Sequence, residues 1–143
     1  MISKSLFFAA KAFLCWDVFS DVSIQLIPVE KAIGFYFSPE NAVHSILLFY
    51  NPGQRDFAEP LFLLFHEAGH KKQYEKNSRT FHISMAEPNG MKRQIFETEA
   101  WQLARMLLDD FIKKQNLENE LLQKFDTFAR LAIQTYADGS LQG

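Results

Sequence analysis

Apolar positions recur along this chain at two spacings, and each spacing predicts an element. Ile2, Leu6, Phe7, Ala10, Phe13, Leu14 and Val18 are separated as on one face of a helix. They predict an amphipathic first helix that ends around Asp17 to Asp21. Val22 to Val29 (VSIQLIPV) is rich in branched apolar residues and predicts a strand, with Pro28 placing its end near an edge. Ala32 to Phe37 (AIGFYF) and Ser45 to Tyr50 (SILLFY) predict two more strands. Ser38-Pro39-Glu40-Asn41 carries turn chemistry, and Asn51-Pro52-Gly53 closes the third strand.

The second half reads as helical. An apolar run, Leu61 to Phe65, lies inside a segment predicted helical from about Glu59 to Tyr74. Pro60 suits its first turn, and Glu59 is favourable beside its N-terminus. Residues 75–90 show no clear period and contain Pro88-Asn89-Gly90, so a loop is expected there. Met91 to about Gln115 and Glu118 to about Ala137 predict two further helices, and Asp138 to Gly143 reads as a frayed end. In the last helix Leu121, Leu122, Phe125, Phe128, Ala129, Ala132, Ile133 and Tyr136 form a stripe expected to cover the core. The order helix, three strands, three helices predicts one α+β domain over 1–143 with a small antiparallel sheet.

Composition narrows the function classes. Residues number 143, of which 48% are hydrophobic and 22% charged, ordinary for a globular domain with a real core. Phe occurs 15 times, so that core should be aromatic. A formal net charge of −2 gives no electrostatic case for nucleic acid or an anionic membrane. The single cysteine, Cys15, excludes an internal disulfide framework and a cysteine-based zinc site. Lys11 interrupts the N-terminal apolar run, which therefore reads as a folded helix of a cytoplasmic protein instead of a signal peptide. The longest uncharged apolar runs are too short to span a bilayer.

The chemistry is concentrated in His66-Glu67-Ala68-Gly69-His70. Residues four apart on a helix share a face, so His66 and His70 can reach one ion from adjacent turns. Glu67 projects about 100° round the helix, beside that ion. Two neutral nitrogen ligands and a carboxylate able to take a proton from water are what a hydrolytic zinc site uses. The plain alternative is a buried helix whose histidines hydrogen-bond to neighbours. Gly69 costs helix stability, which close approach of another backbone would explain, as would tolerated accident.

Such a site needs a third protein ligand. A histidine six residues after His70 is not available, because that position is Lys76. His82, Glu87, Glu97 and Glu99 are the downstream donors. Glu97 shares a helical face with Ala100, Trp101, Ala104 and Leu108, which puts a carboxylate inside a buried stripe unless paired or metal-bound. Glu99 falls towards the polar side, as a solvated or supporting group. Glu97 is therefore preferred, with Glu99 and His82 as the alternatives.

The HEAGH motif, followed by Glu97-Thr98-Glu99-Ala100 and Leu103-Ala104-Arg105-Met106-Leu107-Leu108, resembles the gluzincin metallopeptidases. More narrowly it is similar to the ImmA/IrrE family, whose second motif runs E-x-E-A-N-x-F-A-x-x-L-L. The resemblance implies a zincin-like fold with a first helix, a small sheet, an active-site helix and a ligand-bearing helix. It also implies His66, His70 and Glu97 as metal ligands, one Zn²⁺ per chain, and Glu67 as general base. Trp101 departs from the family, which has Asn or Asp there, so histidine orientation must come from elsewhere in the chain. Leu103 in place of Phe is a milder change.

These residues set the expectation of a zinc-dependent peptidase acting on a peptide or protein, with a transcriptional regulator among the substrates that the resemblance suggests. The competing expectation is a metal-stabilised regulatory or binding module with little or no cleavage. The strand Ser45 to Tyr50 is expected as an edge for an extended substrate. His82 and Tyr74 are candidates to stabilise an oxyanion, although loop solvation and helix-end packing are the preferred readings of the two. Lys71, Lys72, Lys76 and Arg79 could favour acidic substrates, although a solvated face with helix C-terminal charges is the preferred reading.

Overall fold

The three strands form one sheet in the order β1-β3-β2, with β1 at Val22–Pro28, β2 at Ile33–Phe37 and β3 at His44–Tyr50. This computed structural model describes residues 1–39 and 43–137. The turn expected at Ser38 to Asn41 falls partly outside them, and the tail from Asp138 lies wholly outside. The helices are α1 (Lys4–Ala12), α2 (Ala58–Lys76), α3 (Ser78–Met85), α4 (Met91–Gln115) and α5 (Glu120–Ala137), and a π-helical segment, Phe13–Val18, follows α1. The α+β expectation holds. The chain divides into two compact units, Met1–Ala68 and Gly69–Gly143, with the boundary inside α2.

In the first unit the sheet is mixed, which corrects the antiparallel expectation. β1 runs parallel to β3, from Val22 opposite His44 to Pro28 opposite Tyr50. β2 runs antiparallel to β3, from Ile33 opposite Phe49 to Phe37 opposite Ser45. A parallel pair needs a connection of about a dozen residues or more, and the stretch 29–43, with β2 inside it, supplies one. β3 is consequently central and paired on both sides, so it is not the edge expected for a substrate strand. The edges are β1 and β2. Pro28, which has no N–H to donate, is tolerated because β1 is an edge.

Aromatic packing fixes the first helix against this sheet. Phe7, Ala10 and Leu14 are fully buried, and the Phe7 ring stacks on Phe57 with centroids 5.8 Å apart. Phe13 meets Phe65 of α2 at 6.4 Å. Backbone bonds do the rest: Phe57 N–H donates to Ile2 O (2.9 Å), and Ile2 N–H donates to Asp56 Oδ1 (3.0 Å). The same Asp56 oxygen accepts from Ala58 N–H (3.1 Å), at the start of α2.

In the second unit the expected loop at 75–90 is mostly helix, a second correction. α2 continues to Lys76, and α3 follows after Asn77, whose side chain accepts from Thr80 N–H at 3.0 Å as an N-cap. One buried residue, Phe81, anchors α3 through the rings of Tyr74, His70 and Phe96. Residues 86–90, which include Pro88-Asn89-Gly90, remain as the break before α4. α4 and α5 bury Leu107, Leu108 and Phe111 on one side and Leu121, Leu122, Phe125, Ala129 and Tyr136 on the other. Trp101 packs between them on Phe125 and Phe128, with centroids 5.4 and 5.8 Å away. Among the described residues no helix is long and apolar enough to cross a membrane.

Candidate metal centre

His66, His70 and Glu97 lie together as a buried group that could hold a metal ion. One donor atom from each falls within 4.8 Å of the others. The two histidines meet by helical periodicity alone, one turn apart on α2. Glu97 arrives from α4 because Gly69 lets the two helices close: a Cβ at Gly69 would lie 2.2 Å from Ala100 O. The backbone approach that could explain this glycine is therefore present.

The fit to a metal ion rests on the donors themselves. Two imidazoles and a carboxylate suit zinc and its neighbours among divalent ions. His70 Nε2 lies 3.2 Å from Glu97 Oε1. That separation lets both atoms reach one ion, and it equally suits a direct imidazole–carboxylate contact. Glu97 is 0% exposed, and a carboxylate removed from water to that degree requires cationic partners.

Arg93 is one of them. Its Nε donates to Glu97 Oε2 at 2.8 Å, which leaves Oε1 towards His70. Arg93 Nη1 donates to Met85 O (3.2 Å) and Glu87 O (3.0 Å), at the end of α3 and just beyond. The guanidinium also lies over the rings of Phe96 and Tyr136, 5.6 and 5.3 Å from their centroids.

Gln73 holds the other side. Its Oε1 is 2.8 Å from His70 Nδ1, while its Nε2 donates to Phe96 O (2.8 Å) and Glu99 Oε1 (3.0 Å). Glu99 Oε2 in turn accepts from Lys76 Nζ at 3.0 Å. The hydrogen bond from Lys76, then that from Gln73, keeps the Glu99 carboxyl below its ordinary range. Glu99 thus supports the group from outside it.

Glu67 is buried beside the first histidine, its Oε2 3.8 Å from His66 Nδ1. Against it lies the backbone of β2: a Cβ at Gly34 would be 2.9 Å from Glu67 Cγ. His82 is exposed on α3 against Tyr74 and Phe81, outside the group, and Tyr74 packs on Phe81. The fourth histidine, His44, is used in the sheet, where Nδ1 meets the Tyr36 hydroxyl and Nε2 lies 3.5 Å from Asp21. Lys71 corrects the solvated-face expectation, since it is fully buried with Nζ 3.6 Å from Glu75 Oε2. Lys76 and Arg79 are exposed as expected.

Neither the HEAGH motif nor the apolar stripe of α4 points to Gln73 or Arg93, yet both carry a legible signal. Gln73 sits three residues after His70, and Arg93 four before Glu97, so each shares a helical face with the residue it supports. No family model, curated protein or solved structure matches this chain.

Proposed function

We propose that this chain is a zinc-dependent peptidase of gluzincin type, with ImmA/IrrE-like proteins as the relatives its motifs resemble. The observation that carries the reading is the buried His66/His70/Glu97 group with the Glu67 carboxylate beside it. Zn²⁺ held there would polarise a carbonyl and lower the pKa of a nearby water. Glu67 accepts the proton of that water, and returns it to the leaving amine once the peptide bond breaks. The β2 backbone against Glu67 fixes where its carboxylate points. The outer edge of β2 pairs with an extended peptide or protein segment, such as a loop of a transcriptional regulator.

A second reading is favoured by one observation: His66, Glu67, His70 and Glu97 are all buried. Structural metal sites are closed, whereas catalytic sites keep an open position. A metal-stabilised binding module is the form this reading takes. The two separate in one experiment, comparing wild type, Glu67→Gln and Glu97→Ala for zinc content and for chelator-sensitive cleavage of a peptide library. The peptidase reading expects about one zinc in wild type and Glu67→Gln, cleavage in wild type alone, and lost or weakened zinc in Glu97→Ala. Zinc bound without any cleavage favours the module, and no zinc in wild type removes both.

A further inference from the structure

We infer that Gln73 and Glu99 form a carboxylate–amide–imidazole relay that fixes the proton of His70 on Nδ1 and turns Nε2 towards the metal position. This rests on the metal-site reading above and adds to it Gln73, which lies outside the quoted motifs, and a specific role for Glu99, which lies inside the second.

The inference follows from hydrogen-bond chemistry. A glutamine amide has one accepting end and one donating end. Its donating end must be the one facing Phe96 O and Glu99 Oε1, because both of those oxygens accept. A flipped amide would set an oxygen against two oxygens in a buried pocket. The amide oxygen therefore faces His70 Nδ1 at 2.8 Å, and an amide oxygen can only accept. His70 Nδ1 must carry the proton. For a neutral imidazole this leaves a lone pair on Nε2, and Nε2 is the atom 3.2 Å from Glu97 Oε1. Two lone pairs facing each other at that distance are held together only by a proton or a metal ion shared between them.

Histidine ligands usually donate their second nitrogen to a carboxylate, carbonyl or water, which fixes the ring and raises its basicity. Here the carboxylate stands one amide further back. Glu99 is half-exposed and held at the surface by Lys76, so its charge reaches the ring through the buried Gln73. The ring itself stacks on Phe96, with centroids 5.3 Å apart. Gln73 is thus tied to the carbonyl of the residue on which its imidazole rests, and neither can turn without the other. Trp101, where the resemblance leads one to look for a polar supporting residue, is committed to packing on α5. Gln73 and Glu99 are positioning residues and touch no substrate.

The test has two readouts. In the metal-free protein, ¹⁵N-edited NMR of the histidine rings is expected to show a slowly exchanging proton on His70 Nδ1. Gln73→Leu should lose that signal. In chelator competition with Zn²⁺ alone, Gln73→Leu should raise Kd by about 10- to 100-fold. Glu99→Gln, at a half-exposed position that folding tolerates, keeps the hydrogen bond but removes the charge, and should raise Kd by a smaller factor. Melting temperatures separate a positioning role from loss of the fold. A wild-type His70 with no proton on Nδ1 overturns the inference, as does unchanged zinc affinity in a folded Gln73→Leu. If wild type binds no zinc, the metal reading falls, and the NMR comparison still decides the relay on its own.

Discussion

Gly69 touches the carbonyl of Ala100 so closely that a Cβ would sit 2.2 Å from the oxygen and 3.1 Å from its carbon. No rotamer relieves this, because the obstacle is backbone. A methyl group added there forces α2 and α4 apart, and α4 carries Glu97. Gly69→Ala is therefore expected to destabilise the protein by about 1–3 kcal/mol, although alanine is the better helix former. A thermal melt checks it. An unchanged or raised melting temperature would show that the helices do not approach so closely.

Gly34 meets a side chain instead. Alanine there would press on Glu67 Cγ and move the carboxylate while leaving both histidines in place. On the peptidase proposed above, Gly34→Ala is expected to keep zinc and to lose hydrolysis on the order of 10- to 100-fold, the cost of misplacing a reacting group by about 1 Å. Zinc content and turnover of the same preparation separate these effects. Equal loss of both would place Gly34 in the fold and not over the proposed general base, Glu67.

Arg93 holds the charge of Glu97 when no ion is bound. Arg93→Met takes the guanidinium from a carboxylate that is 0% exposed, which should destabilise the metal-free protein by about 3–5 kcal/mol. Saturating zinc should restore much of the loss, since an ion bound only by the folded state stabilises it. The readout is the melting temperature with zinc and with chelator, for wild type and variant. A variant that melts like wild type in chelator would show that Arg93 does not compensate Glu97.

Cys15 offers a pH-dependent check remote from the site. Burial pushes its thiol above the ordinary range, against the opposing pulls of Lys11 and a backbone hydrogen bond with Ile24. A raised thiol pKa means that the folded state holds the proton more tightly. The resulting stability is fully present below the unfolded thiol pKa and is lost as pH rises through the folded one. Alkylation at pH 8 is expected to be slower in the folded protein than in urea, with the gap closing at higher pH. Equal rates at pH 8 would place the thiol in open solvent.

How legible each part was follows from the range of the interaction behind it. His66 and His70 needed only the period of one helix. Glu97 needed one more step, that a carboxylate in an apolar stripe must find a partner, and it lies at 0% exposure beside His70 and Arg93. Sheet order depended on pairing between residues far apart, Val22 with His44 and Pro28 with Tyr50, and no local pattern encodes it. α3 was missed because one buried residue, Phe81, holds it, too few to set a period. Lys71 defies its residue type, since lysine is almost never fully buried and on that ground argues for the surface.

The central position of β3 bears on how the first unit is made. Both of its neighbours, β1 and β2, leave the ribosome before it. They do not pair with each other, since β3 lies between them. A nascent chain that stops before His44 therefore holds two apolar strands with no partner for their backbone groups. Neither ladder of this sheet, β1 with β3 or β2 with β3, can form until that last strand is present. Until then those strands present unpaired backbone groups that a neighbouring molecule or a chaperone can capture.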